Sequence, residues 1–178
     1  MLKSFIRQAR LRLWMSRNDN PETICEINRY LDTDFPTKDY AHSKIVNFPI
    51  ELASLLNCAL GSIHAYHRRG KFVFARASTH IGNSLIGYFP QGKVASSPSY
   101  GSIQYVFSVK GDFKFAVRPH KSANVAFDPF AQYPHFPAKL YRSQMGDLEI
   151  VHVDWVIGHF ARWKYINDLV VILPLSRD

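Results

Sequence analysis

The stretch Ile103-Gln-Tyr-Val-Phe-Ser-Val109, Lys110-Gly-Asp112, Phe113-Lys-Phe-Ala-Val117 contains two runs in which side chains alternate around a short turn. A period of two is typical of β-strands, and a turn that contains glycine is typical of hairpins. The stretch therefore predicts an antiparallel hairpin, which is the clearest local structure in the chain.

Further strands are predicted on both sides of this hairpin. They cover residues 63–67, 71–75, 84–89, 148–155 and 170–175. The first two flank the turn Arg68-Arg69-Gly70 and form a second predicted hairpin. Residues 120–146 are rich in proline and predict a long loop, and residues 156–165 are predicted to be helical.

The residues before Gly61 have helical rather than strand periodicity. An amphipathic helix is predicted over 2–15, and Asn20-Pro21-Glu22 has the residue types that start a second helix. A third helix is predicted to begin after Asn47-Phe48-Pro49, to be well buried, and to end at Gly61.

Together these patterns predict one α+β domain over residues 1–178, since the chain has the usual length of a single domain. Residues 1–61 are predicted to be helical, and residues 62–178 are predicted to be rich in strands. We expect the short N-terminal helices to pack on a mostly antiparallel, curved β-sheet or open barrel of about five to seven strands.

The chain is basic, with 22 Lys and Arg against 14 Asp and Glu and a net charge of +8. Such a balance favours polyanionic partners, DNA or RNA, over acidic proteins. The candidate phosphate-contacting residues lie in the N-terminal helix and at the second hairpin turn. They are Lys3, Arg7, Arg10, Arg12, Arg68, Arg69 and Lys71.

The basic N-terminal helix has three interpretations. It is a surface helix with a solvated basic face, a mitochondrial presequence, or a helix that contacts phosphates or a membrane surface. No apolar run approaches the ~20 residues that span a bilayer, so no transmembrane segment is expected. The expected location is intracellular, nuclear or cytoplasmic, with mitochondria as the alternative.

The sequence contains no motif that names a catalytic, metal or cofactor site. Gly82-Asn-Ser-Leu-Ile-Gly87 is one residue too long for a serine-hydrolase elbow. Ser78, His80 and Ser84 are the candidate residues of a hydrolase-type site, although a turn network explains the same residue types. His64 and His67 are out of phase for two ligands on one strand face.

Several segments carry a family resemblance. They are Ser78-Thr-His-Ile-Gly-Asn-Ser84, Gly101-Ser-Ile-Gln-Tyr-Val-Phe107, Phe115-Ala-Val117, Asp128-Pro-Phe-Ala-Gln-Tyr-Pro-His-Phe-Pro-Ala-Lys-Leu-Tyr141, Val153-Asp-Trp-Val156, His159-Phe-Ala-Arg-Trp163 and Leu175-Ser-Arg-Asp178. Together they resemble, over roughly residues 40–178, the C-terminal region of multicopy proteins of mushroom-forming fungi that have no assigned activity. Those proteins accompany DNA transposons, including the Kyakuja–Dileera–Zisupton superfamily.

The resemblance implies a transposon-associated protein of the nucleus or cytoplasm. It implies no catalytic residue, because the acidic residues of the transposase proper belong to a segment absent from this chain. It also leaves open a truncated or decayed copy without activity. The sequence therefore favours a non-enzymatic module that contacts nucleic acid or a protein partner, with a hydrolase that uses Ser78, His80 and Ser84 as the alternative.

Overall fold

The computed structural model describes residues 44–70, 72–93, 96–123, 128–133 and 135–175, together with Pro21. All of these residues except Pro21 belong to one unit, Ser43–Asp178. The two predicted N-terminal helices and five of the predicted phosphate-contacting residues lie outside the described residues. These five are Lys3, Arg7, Arg10, Arg12 and Lys71.

The described residues form eleven strands and two short α-helices. The strands are β1 (Val46–Asn47), β2 (Leu60–His64), β3 (Tyr66–Arg69), β4 (Phe72–Ala75), β5 (Leu85–Tyr88), β6 (Ser99–Val109), β7 (Asp112–Ser122), β8 (Lys139–Met145), β9 (Glu149–His152), β10 (Val156–Lys164) and β11 (Leu169–Pro174). The helices are α1 (Ile50–Leu56) and α2 (Ile81–Ser84), and 3-10 turns cover Pro90–Gly92 and Val153–Trp155.

Six of the described strands close into an antiparallel barrel in the order β6-β5-β10-β11-β8-β7, and β7 then pairs with β6. Strands β2 and β1 extend the sheet beside one half of β6, and β9 pairs with β7. The predicted curved, mostly antiparallel sheet is thus confirmed. The barrel is closed rather than open, and closure removes the exposed edges that an open sheet would present.

The hairpin predicted around residues 110–112 is confirmed and is longer than predicted. Strands β6 and β7 each contain eleven residues, and Val109 pairs with Asp112. The turn residues Lys110 and Gly111 both have positive φ, 52° and 84°. This is the backbone that a tight two-residue hairpin turn needs, and glycine adopts it without a steric penalty.

A β-bulge in β6 distributes its side chains between two hydrophobic clusters. The register with β7 shifts between Ile103 and Tyr105, so Gln104 is the extra residue. As a result Ile103 and Val106 lie in a cluster with Phe115 and Val117, whereas Phe107 packs with Ala116, Phe48 and Leu52. A third cluster, Tyr100, Phe160, Val170 and Ile172, lies in the barrel interior.

Two predictions in the C-terminal region were wrong. Residues 156–164 form strand β10 rather than a helix, and the predicted loop 120–146 contains strand β8. Both strands place a charged residue beside buried Ile172 of β11, Arg162 on one side and Lys139 on the other. These charges interrupt the polar–apolar alternation by which a strand is recognised.

The described residues lean towards an all-β fold, which corrects the predicted α+β class for these residues. The predicted helix after Pro49 exists as α1, but it ends at Asn57, whose φ of 49° forms the left-handed cap, and not at Gly61. It is also less buried than predicted, because Leu52 is buried while Ile50 is 87% exposed. No helix within the described ranges is long and apolar enough to cross a membrane.

Candidate nucleic-acid interface

Strands β3 and β4 form a hairpin that packs on the outside of the barrel. Arg69 pairs with Phe72 at its tip, where Gly70 has a φ of 55°. Phe74 anchors the hairpin: it is 3% exposed, and its ring centroid lies 5.4 Å from that of Phe115 and 5.0 Å from that of His159. The second predicted hairpin is therefore confirmed, but its first strand is Tyr66–Arg69 rather than 63–67, so Arg68 and Arg69 lie in the strand and not in the turn.

A groove with a volume of about 430 Å³ runs between this hairpin tip and the start of β10. We call it the hairpin groove, and its lining residues are Arg69, Gly70, Phe72, Phe74, Val156 and Ile157. The rings of Phe72 and Phe74 are 6.2 Å apart and nearly parallel, with an interplanar angle of 20°. Phe72 and Ile157 are each 37% exposed, so the groove presents apolar surface to solvent.

Of the predicted phosphate-contacting residues, Arg69 lines this groove, whereas Arg68, the preceding residue of β3, lies on the opposite face of the hairpin. The guanidinium of Arg69 donates a hydrogen bond to the Val153 carbonyl at 2.9 Å and forms an ion pair with Asp154 at 3.2 Å. Both side chains of the pair are largely exposed, 48% for Arg69 and 86% for Asp154. Arg68 donates to the Gly70 carbonyl at 3.1 Å, which shapes the turn.

His64 and His67 meet on one aromatic ring, that of Phe113, at centroid distances of 4.8 and 4.7 Å. They belong to different strands because the chain leaves β2 at Ala65, so the spacing rule for a single strand did not apply. Burial lowers the pKa of both histidines, and for His67 the nearby charges of His64 and Arg69 add to this effect. Among the described residues no group of three His, Cys, Asp or Glu side chains could hold a metal ion.

The structure does not assemble Ser78, His80 and Ser84 into a nucleophile and base. His80 Nδ1 accepts a hydrogen bond from the Asn83 amide at 3.1 Å and so caps α2. Ser84 is fully buried, and its hydroxyl donates to the Ile81 carbonyl at 2.8 Å. Ser78 is exposed in the preceding turn. These contacts match the turn network that was the alternative explanation.

The barrel interior contains polar side chains among its aromatic ones. The ring of Phe160 contacts Tyr100 at 5.5 Å and His120 at 6.1 Å, and Tyr100 contacts Tyr141 at 5.7 Å. Arg162 lies two residues after Phe160 on the same face of β10. Burial raises the pKa of both tyrosines, of Tyr141 to about 12, so their hydroxyls stay protonated at neutral pH.

The positive charge of the protein resides mainly in the unit that contains the barrel. Residues 43–178 carry 15 Lys and Arg against 8 Asp and Glu, a net +7 of the total +8. The N-terminal segment is basic at its start, but its acids from Asp19 onward nearly neutralise it. The net positive charge on which attraction of a polyanion depends is therefore concentrated in the barrel unit.

Sequence reasoning missed the partners that complete these sites. The groove joins Arg69 and Phe72 to Ile157 and Asp154, residues more than eighty positions away, and no local pattern indicates this pairing. The sequence does contain a signal for the interior position of Arg162. Had residues 156–164 been interpreted as a strand, Phe160 and Arg162 would have fallen on one face.

Comparison with protein-family models, with curated proteins and with solved structures found no match to this chain. The resemblance to transposon-associated fungal proteins therefore stays a prediction.

Proposed function

We propose that the protein is a non-enzymatic interaction module that binds nucleic acid, and that the hairpin groove is its contact surface. The observation that carries this proposal is the position of a basic side chain, Arg69, beside a half-exposed aromatic ring, Phe72, in one open groove. Proteins that bind single strands combine positive charge along the backbone with aromatic rings on which bases stack.

Electrostatics supports the proposal beyond the groove itself. The surrounding unit has a net charge of +7, which attracts a polyanion over distances comparable to the Debye length. The ion pair between Arg69 and Asp154 does not prevent phosphate binding, because an exposed pair contributes only about 0–1 kcal/mol. A phosphate can take the place of Asp154 beside the guanidinium, so Asp154 acts as a competitor of the ligand.

A single strand fits the groove better than a duplex does. The exposed part of the Phe72 side chain can contact a base only if that base is unstacked from its neighbours, as it is in single-stranded DNA or RNA. Tyr66, 40% exposed, pairs with Ala75 and so lies on the opposite face of the hairpin from Arg69 and Phe72, which leaves Phe72 as the stacking ring of the groove.

The test is a titration of fluorescent single-stranded and duplex DNA with the full chain at several salt concentrations. Phosphate binding should weaken steeply between about 50 and 200 mM salt. Arg69→Gln should reduce the slope of log K against log salt by about 0.7–1. Phe72→Ala should weaken single-strand binding by about 1–3 kcal/mol and leave that slope unchanged.

Lys110→Gln is the matched control, since Lys110 is an exposed cation at the tip of the other hairpin. It should change binding less than Arg69→Gln does, whereas Asp154→Asn should strengthen binding because it removes the competitor. Binding that is absent or insensitive to salt would refute the nucleic-acid proposal and leave the protein-partner version. Equal losses in Arg69→Gln and Lys110→Gln would refute the groove as the contact surface.

The same proposal includes a role alongside a transposable element and a nuclear or cytoplasmic location, which the resemblance implies. The N-terminal basic residues Lys3, Arg7, Arg10 and Arg12 stay candidates for further phosphate contacts. The hydrolase alternative gains no support from the geometry, because His80 and the buried Ser84 are engaged in separate backbone contacts.

A further inference from the structure

The barrel interior contains two nitrogen atoms that are buried without a hydrogen-bond partner. They are Nε2 of His120 and Nε of Arg162. His120 is 5% exposed, and its other ring nitrogen, Nδ1, lies 3.2 Å from the Arg142 carbonyl. A buried polar atom without a partner costs about 1–3 kcal/mol, so such an atom calls for a bound water, a bound ion or a functional role.

These two side chains lie near each other inside the barrel. Arg162 is paired across β10 and β11 with fully buried Ile172, so it shares the inward face with Phe160. The ring of Phe160 in turn contacts His120. No carboxylate in the described ranges forms an ion pair with Arg162, whereas Arg118 of β7 pairs with Glu51 of α1.

A guanidinium that is partly buried without a carboxylate is short of an anionic partner. Arg162 remains partly accessible to solvent, so a small anion can reach it. We propose that the barrel binds an oxyanion, a phosphate or a carboxylate, between the guanidinium of Arg162 and Nε2 of His120. This site is separate from the hairpin groove and does not depend on nucleic-acid binding.

Binding at this site is coupled to uptake of a proton by His120. A carbonyl only accepts, so Nδ1 carries the hydrogen that it donates to Arg142, and Nε2 of the neutral ring has a lone pair that repels an anion. Burial lowers the pKa of His120, the charge of Arg162 lowers it further, and the hydrogen bond to Arg142 opposes both effects. An anion that bridges the two side chains raises the pKa of His120, because its negative charge favours the protonated ring.

The other titratable groups around His120 do not replace this effect. Tyr100 from β6 and Tyr141 from β8 carry neutral hydroxyls, and burial raises the pKa of each. Arg118, two positions before His120 on β7, is engaged with Glu51. Lys139 of β8 lies on the other side of Ile172 and is exposed to solvent. Arg162, whose charge acts on His120, is therefore the cation through which the anion and the His120 proton are linked.

The experiment is an NMR titration of the histidine ring signals of the full chain against pH. It is run in inorganic phosphate, in acetate and in chloride at equal ionic strength. We expect phosphate, acetate or both to raise the pH at which His120 protonates, relative to chloride, and the phosphate and acetate series to show which oxyanion is preferred. Anion affinity should increase as the pH falls through the titration of His120.

Arg162→Gln should weaken oxyanion binding at least tenfold and should abolish the dependence of the His120 titration on the anion. Lys121→Gln is the matched control, because Lys121 is an exposed cation next to His120 and its replacement removes one charge from the opposite face of β7. It should leave both readouts unchanged. Thermal unfolding of each variant shows whether it is folded, and His120→Gln provides a second variant, which should retain weakened binding without its pH dependence.

The proposal is overturned if His120 titrates at the same pH in all three anions. It is also overturned if Arg162→Gln, shown to be folded, binds phosphate and acetate as the unaltered protein does. Equal losses in Arg162→Gln and Lys121→Gln would reduce the effect to general surface charge and would equally refute the site. Variants of the hairpin groove should have no influence on these results.

Discussion

Gly101 occupies a crowded position in the barrel wall, and its replacement by alanine tests how the barrel closes. A methyl group there would lie 2.6 Å from Val117 Cγ1, 2.7 Å from the Arg118 carbonyl oxygen and 3.1 Å from Pro119 Cα. These atoms belong to β7, the partner of β6 at the point where β6 also pairs with β5. Two of the three are backbone atoms, which cannot rotate away.

The cost of Gly101→Ala follows from this crowding. Forcing an extra carbon into a packed interior costs about 1–3 kcal/mol, while alanine is intrinsically favoured over glycine in a strand by about 0.5–1 kcal/mol. Since the contacts include an unyielding backbone oxygen, we expect a net loss of about 1–2 kcal/mol in the free energy of unfolding. For a chain of 178 residues that corresponds to a decrease of roughly 2–8 °C in Tm.

The assay is chemical and thermal unfolding followed by circular dichroism, with Gly82→Ala as the control. At Gly82 a methyl group would meet only the exposed His80 ring, at 3.3 Å, so stability should be unchanged or slightly higher. The double variant Gly101→Ala with Val117→Ala removes one of the clashing atoms. It should therefore be less destabilised than the sum of the single variants by about 0.5 kcal/mol or more.

Crowding at Gly101 is refuted if Gly101→Ala unfolds within about 1 °C of the unaltered protein, since overpacking of this kind cannot be so mild. It is also refuted if Gly82→Ala loses as much stability, because the effect would then not arise from strand crowding. If the changes in the free energy of unfolding caused by the two substitutions simply add, the added methyl group does not press on the Val117 side chain.

Three further outcomes follow from the packing and the titratable groups. Burial lowers the pKa of His64 and His67 below their ordinary 6.5, so the unfolded chain binds more protons than the folded one below that pH. The free energy of unfolding should therefore fall as the pH decreases from 6.5. A Tm that does not change between neutrality and about pH 5 would contradict this. Phe107→Ala, at a fully buried ring, should lower the free energy of unfolding by about 3–5 kcal/mol, whereas Tyr133→Ala, 57% exposed, should change it by less than about 0.5 kcal/mol in urea titrations. Burial raises the pKa of Tyr141 to about 12, so this hydroxyl should not ionise below about pH 11. Tyr141→Phe and the unaltered protein should therefore have the same tyrosinate absorbance up to that pH. A smaller absorbance in the variant would show that Tyr141 ionises there and would contradict the prediction.

The sequence by itself determined the local elements in which polar and apolar side chains follow a single period from the first residue to the last. The hairpin of β6 and β7 was predictable because its residues alternate and Lys110-Gly111 can adopt positive φ. The hairpin carrying Arg68 and Arg69 was predictable for the same reason, and so was one member of the candidate interface, Arg69. These features depend only on neighbours in the chain.

Only the tertiary structure decided closure of the barrel, the bulge at Gln104 and the strand state of β10. A bulge changes which face each residue occupies, and strand β10 carries Arg162 inside, so neither follows from alternation alone. The groove and the barrel interior each join residues from distant segments, Arg69 with Ile157 and His120 with Arg162. Their physical cause is the pairing of β10 with β5 and β11, a long-range hydrogen-bonded contact that is stable only once the whole barrel has formed.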